Sequence, residues 1–198
     1  MPPSTPPSDF LYYRREIIAR AKSGVEFMVA AGIVWALITG IWLTGYSAYD
    51  RSVMTFIVGA IMLPLAFGLS KVFRTTWKIP GNPLEPLGLW LNFAQLFYFP
   101  FLVYFLLRDP EAFIMGYAII TGAHLFPYAW FYDELGYAIG AGVIAVGALF
   151  LRLLISPDSL FVIPLFASVC FFALAGWLFA RRARWKETSI NPLPATAD

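Results

Sequence analysis

Apolar residues run almost unbroken through six stretches, 24–45, 52–73, 86–107, 110–132, 134–155 and 159–180, and most polar and charged residues fall between them. Each stretch is close to the ~20 residues that cross ~30 Å of hydrocarbon at ~1.5 Å per residue. The pattern predicts an all-α fold, a six-transmembrane-helix bundle forming one membrane domain over 24–185. Gaps after the first, third, fourth and fifth stretches are very short, so those neighbours form antiparallel hairpins. Only the second connection, 74–85, has any length.

The rhythm differs ahead of the first stretch. Phe10, Tyr13, Ile17 and Ala21 fall on one helical stripe, while Arg14, Arg15, Arg20 and Lys22 supply positive charge. Residues 9–23 are therefore expected to form an amphipathic interfacial helix on the lipid surface, capped by Ser8 or Asp9. The Pro/Ser-rich segment 1–8 reads as a disordered tail, and the polar, Pro-containing segment 186–198 as a flexible one. The first apolar stretch is too long for a cleavable signal and reads as a retained span.

Composition agrees with lipid. Hydrophobic residues make up 60% of the chain and charged residues 13%, against about 45–50% and 25% in soluble domains. A net charge of +2 is too small to suggest nucleic acid. Charge placement adds orientation. Arg14, Arg15, Arg20, Lys22, Lys71, Arg74, Lys78, Arg181, Arg182, Arg184 and Lys186 fall on the side of the termini, and Arg51, Arg108 and Arg152 on the other. The positive-inside rule then makes both termini cytoplasmic, as an even number of spans requires them to share a side. Trp42, Tyr46 and Tyr49 would mark the outer interface, and Trp77, Trp130, Tyr132 and Trp185 the inner one.

Few residues are left for chemistry. Glu26, Lys71 and Arg152 lie near span ends, where headgroups solvate them or they snorkel. This placement argues against a carboxylate relay at the bilayer midpoint. One Cys and one His cannot build a zinc site within one chain, and no cofactor is implied. The exceptions are Asn92 and Gln95 on span three and His124 on span four. Tyr117, Thr121, His124 and Tyr128 recur at helical spacing on one face, and Gly88, Asn92 and Gln95 share another. Gln95 lies about 13 Å, and His124 about 12 Å, from the same end of their spans, so the two are expected to meet at one depth. Asn92, Gln95, Thr121, His124 and Tyr128 are thus the candidate ligand-binding set. Such groups serve either as interhelical glue or as the lining of a polar cavity.

Pro64, Pro100, Pro127 and Pro164 lie inside four spans, and Pro127 would free the carbonyl of Ala123 beside His124. Gly136 and Gly140 make a small-residue pair suited to close packing, within the chain or in a homo-oligomer. Asn82-Pro83-Leu84 reads as a turn that starts span three, with Pro86 in its first helical turn.

The segment Asn82-Pro83-Leu84, Gly88, Asn92, Gln95, followed by Gly122-Ala123-His124-Leu125-Phe126-Pro127-Tyr128-Ala129-Trp130, resembles a family of small bacterial multi-pass membrane proteins known only as a domain of unknown function. The likeness is strongest over 82–132 and extends loosely over 10–180. It implies a bacterial inner-membrane location, and it transfers no activity and no catalytic residue. The functional expectation is an uncharacterised integral membrane protein that binds or passes a small polar molecule between spans three and four. The alternatives are a structural or accessory membrane protein and, third, an intramembrane lipid-modifying enzyme, against which the lack of a nucleophile motif argues.

Overall fold

The computed structural model describes residues 7–185, with side chains from 9 to 183. The expected tail at 186–198 and all but the last two residues of that at 1–8 lie outside the described residues. A first helix, α1 (Pro7–Arg20), is already running at Pro7, so Ser8 and Asp9 belong to its first turn rather than capping it.

Span one is α2 (Val25–Trp42), and span two is split into α3 (Ala48–Gly59) and α4 (Met62–Phe73). Span three comprises α5 (Glu85–Ala94), a 3-10 turn (Gln95–Tyr98) and α6 (Phe99–Arg108). Span four is α7 (Pro110–Ala123) and α8 (Phe126–Phe131), span five α9 (Leu135–Leu154) and span six α10 (Val162–Ala180). No strand occurs among the described residues, and six helices are long and apolar enough to cross a membrane. The breaks follow the prolines. Pro100 and Pro127 stand in the first turns of α6 and α8, and Pro64 is the third residue of α4. A helix's first N–H groups have no partner within the helix, so proline is tolerated there and the preceding helix ends one turn earlier. Pro164 is likewise third in α10, at the start of its span.

The core is built where small residues let helices close. A Cβ on Gly32 of α2 would lie 2.8 Å from the Phe172 ring of α10, and the Ser168 hydroxyl donates to the Gly32 carbonyl at 2.8 Å. Gly122 of α7 brings its backbone against Ile144 and Ala145 of α9 in the same way. A Cβ on Gly136 would lie 2.8 Å from Trp177, and one on Gly140 3.3 Å from Leu174. That small-residue face is therefore occupied by the chain's own last span. Span three is peripheral: α5 buries no residue, and Phe97 is 82% exposed.

One end of the bundle, here the terminal face, carries α1, the 74–84 connection, the 132–134 turn and the closing 3-10 turn Arg182–Trp185. The apolar stripe of α1 is covered by protein rather than free for lipid. Ile17 and Ile18 are buried, and Phe10 packs on Trp130 with ring centroids 5.5 Å apart. Arg14 donates to the Trp130 carbonyl, pairs with Asp133 at 3.3 Å and stacks over the Trp130 ring. Asn82 ties the second connection to the same helix, donating to the Tyr13 carbonyl at 2.8 Å and to Glu16 Oε2 at 3.1 Å. Its own carbonyl oxygen accepts from Leu84 N at 3.0 Å. The Asn-Pro-Leu turn thus starts span three and also anchors α1.

Candidate functional site

The two breaks that matter lie opposite each other in spans three and four. Gln95 opens the 3-10 turn between α5 and α6, and His124 follows the last residue of α7. Asn92 Nδ2 donates to the Gly88 carbonyl of its own helix at 3.1 Å, and Tyr128 of α8 donates to the same carbonyl at 3.1 Å. This shared acceptor joins the two spans. His124 Nδ1 lies 2.6 Å from the Thr121 carbonyl. A carbonyl only accepts, so Nδ1 carries the proton, and in the uncharged ring Nε2 is left as an acceptor. Thr121 contributes that backbone oxygen rather than its hydroxyl.

Gln95 and His124 do not hydrogen-bond to each other, contrary to the expectation from matched depth. The Gln95 amide finds no partner among the described residues. Matched depth leaves the direction around each helix open, and His124 Nδ1 is already spent on the Thr121 carbonyl. Tyr117, from the same face of span four, packs elsewhere. Its ring packs with Trp35 and Phe113, at centroid separations of 5.3 and 6.0 Å, and its hydroxyl sits against Gly59.

Tyr128 leads from this seam into a second polar cluster. Its ring stacks on Tyr132 (5.8 Å) and lies 5.9 Å from Tyr137, while His124 meets it edge-on at 6.0 Å. The hydroxyls of Tyr132 and Tyr137 converge on Gly24, where a Cβ would stand 3.1 and 3.3 Å from them. Gly24 also has φ +69°, following Lys22 and Ser23 at 46° and 53°. Three successive left-handed residues are strained for all but glycine. The turn is held by Tyr137 Oη donating to the Ser23 carbonyl and Lys22 Nζ donating to the Phe73 carbonyl, both at 2.6 Å. It redirects the chain from α1 into span one.

The centre of this cluster is Glu26, which is 1% exposed. The expectation that headgroups solvate it fails, because the 74–84 connection folds over it. Trp77 Nε1 donates to Oε1 at 3.1 Å, and the Trp77 ring stacks on Phe27 at 5.1 Å. Oε2 is buried with no partner, as is the hydroxyl of Thr75, which approaches the carboxyl group without reaching hydrogen-bonding geometry. Lys22 lies near enough to act on Glu26 electrostatically. Buried polar atoms are nearly always paired, so two adjacent orphans indicate a position for water or ligand. The position of Glu26 near the end of span one gives, by itself, no sign of its cover. The signal for that cover is the Thr75-Trp77 pair in the one connection long enough to reach it.

Among the described residues, no group of three His, Cys, Asp or Glu side chains is placed to hold a metal. Comparison with curated proteins and with solved structures returns no match. One family model, described as a family of unknown function (DUF7010), matches residues 10–181. That match takes in all six spans and both polar clusters, and the chain belongs to this family.

Proposed function

We propose that this protein sits in a bacterial inner membrane with both termini cytoplasmic, and that it binds or passes a small polar molecule. The route runs along the seam between spans three and four and reaches Glu26 through Tyr128, Tyr132 and Tyr137. The excess of Lys and Arg on the terminal face supports the orientation. The observation that carries the functional reading is Glu26 itself, a carboxylate 1% exposed whose second oxygen has no partner. An ionisable group held this way inside a membrane bundle costs stability and is retained for use. Broken helices at Gln95 and His124 support the same reading, since irregular backbone at membrane depth is tolerated where it lines a polar site.

The test is swelling of proteoliposomes challenged with glycerol, urea, glycine and ammonium acetate. Swelling above that of empty vesicles for at least one solute, abolished in Glu26→Gln and reduced in His124→Ala with folding intact, supports the proposal. Variants that change thermal stability alone would sink it. That outcome would favour an accessory membrane protein, whose supporting observation is the Tyr128–Gly88 bond acting as interhelical glue. The lipid-modifying enzyme gains no support, because no hydroxyl or thiol hydrogen-bonds His124 among the described residues.

A further inference from the structure

The opposite end of the bundle carries a cavity of about 310 Å³ between the end of α2, the start of α3 and the 157–161 segment. Its walls include Trp42, Thr44, Tyr46, Arg51, Asp158 and Phe161. It shares no residue with the site around Glu26. The volume is at the lower limit of small-molecule pockets, near ~300 Å³, and so fits a compact ligand or one headgroup.

The charges on these walls are unusual in not meeting. Arg51 donates through Nη1 to the Trp42 carbonyl at 3.1 Å, and its guanidinium lies 4.9 Å from the Trp42 ring centroid. Arg51 Nε is buried with no partner. Among the described residues neither Arg51 nor Asp158 forms an ion pair. The neighbouring carboxylate of Asp50 accepts from the Ser47 hydroxyl at 2.6 Å in the cap of α3. The arginine is also fixed in place: Trp42, on which it rests, donates from Nε1 to Thr55 at 3.0 Å. A half-buried guanidinium with spare donors favours an anionic oxygen group. A simple anion would then lie in the same cavity as the Asp158 carboxylate and be repelled by it. A ligand carrying both signs satisfies both walls, with Tyr46 and Phe161 as aromatic faces for an ammonium group.

We infer that this cavity binds a compact zwitterion, its anionic group on Arg51 and its ammonium group toward Asp158, with phosphoethanolamine chemistry as the type. The source is either the headgroup of a phospholipid or a free solute. Native mass spectrometry of the full chain, released from nanodiscs of equal phosphatidylethanolamine and phosphatidylglycerol, reads the first. Titration with O-phosphoethanolamine, and separately with inorganic phosphate, reads the second.

Retention of phosphatidylethanolamine over phosphatidylglycerol by about tenfold, the effect of one charge-assisted contact, supports a lipid source. Binding of O-phosphoethanolamine about tenfold tighter than phosphate, without lipid selectivity, supports a free one. Arg51→Gln should abolish either preference. Asp158 is exposed, so Asp158→Asn should fold normally even where Arg51→Gln does not, and should bring either ratio to about one. Absence of both preferences in the wild type overturns the inference. So does a preference that Asp158→Asn leaves unchanged.

Discussion

Replacing Glu26 by glutamine separates a structural carboxylate from a functional one. Glutamine has nearly the same shape, and its amide oxygen keeps the acceptor that Trp77 Nε1 uses at 3.1 Å. The amide nitrogen takes the place of Oε2, which has no partner, and it faces the Thr75 hydroxyl, which has none either. The substitution thus removes one unmet acceptor and offers the Thr75 hydroxyl oxygen a donor. Leaving one such group unpaired costs about 1–3 kcal/mol. Glu26→Gln is therefore expected to stabilise the fold by about 1 kcal/mol or more, raising the melting temperature by roughly 2–4 °C for a chain of this size. Glu26→Ala should do the opposite. It strands the Trp77 N–H and opens a void, at a cost of about 2–4 kcal/mol.

The assay is thermal unfolding in one detergent, followed by tryptophan fluorescence, with solute flux measured on the same preparations. The expected pair of results is higher stability and lost flux in Glu26→Gln, the trade-off of a site held against its own stability. Equal destabilisation by glutamine and alanine would refute the reasoning. It would mean that Oε2 has a partner which the carboxylate holds and the amide cannot.

Three further outcomes follow from the packing. Asn82→Ala removes the bonds to Tyr13, Glu16 and Leu84, worth about 2–3 kcal/mol together; α1 should then be released, seen as faster tryptic cleavage after Arg14 and Arg15. Tyr128→Phe deletes only the hydroxyl bonded to the Gly88 carbonyl, so melting should fall by the effect of about 0.6–1.7 kcal/mol typical between membrane helices. Gly122→Ala places a Cβ 2.6 Å from Ile144 and 3.1 Å from the Ala145 backbone, and should sharply lower the yield of folded protein in size-exclusion chromatography. Gly142→Ala, with nothing within 4 Å, should leave that yield unchanged.

The spans were legible because lipid imposes length and apolarity on each segment separately, whatever its neighbours do. Breaks within them were legible only in part. Pro64, Pro100 and Pro127 mark where an α-helix cannot continue, but not that a 3-10 turn would begin as early as Gln95. Depth along a helix is one coordinate, linear in residue number. The direction of a side chain is an angle that accumulates error at every break. Gln95 and His124 therefore agree in the coordinate that sequence supplies and fail to meet in the one it does not. α1 shows the same limit. Its stripe of Phe10, Ile17 and Ala21 is apolar as expected, but an apolar stripe does not say whether lipid or Trp130 will cover it.

Glu26 was misjudged for a related reason. A charge near a span end is solvated by headgroups only where no protein element lies between them, and the end of a span says nothing about that. The deciding features are elsewhere in the chain. The left-handed turn at Lys22, Ser23 and Gly24 swings α1 across the terminal face. Asn82 then fastens the second connection to α1, and this pulls Trp77 down over the carboxylate. Each step joins residues about 50–70 positions apart in the chain, and none leaves a mark in local hydropathy. What does leave one is length: of the five connections, only 74–84 is long enough to fold back on the bundle. In a membrane protein whose other connections are tight turns, the polar and aromatic residues of the long one are where cover for a buried charge should be sought.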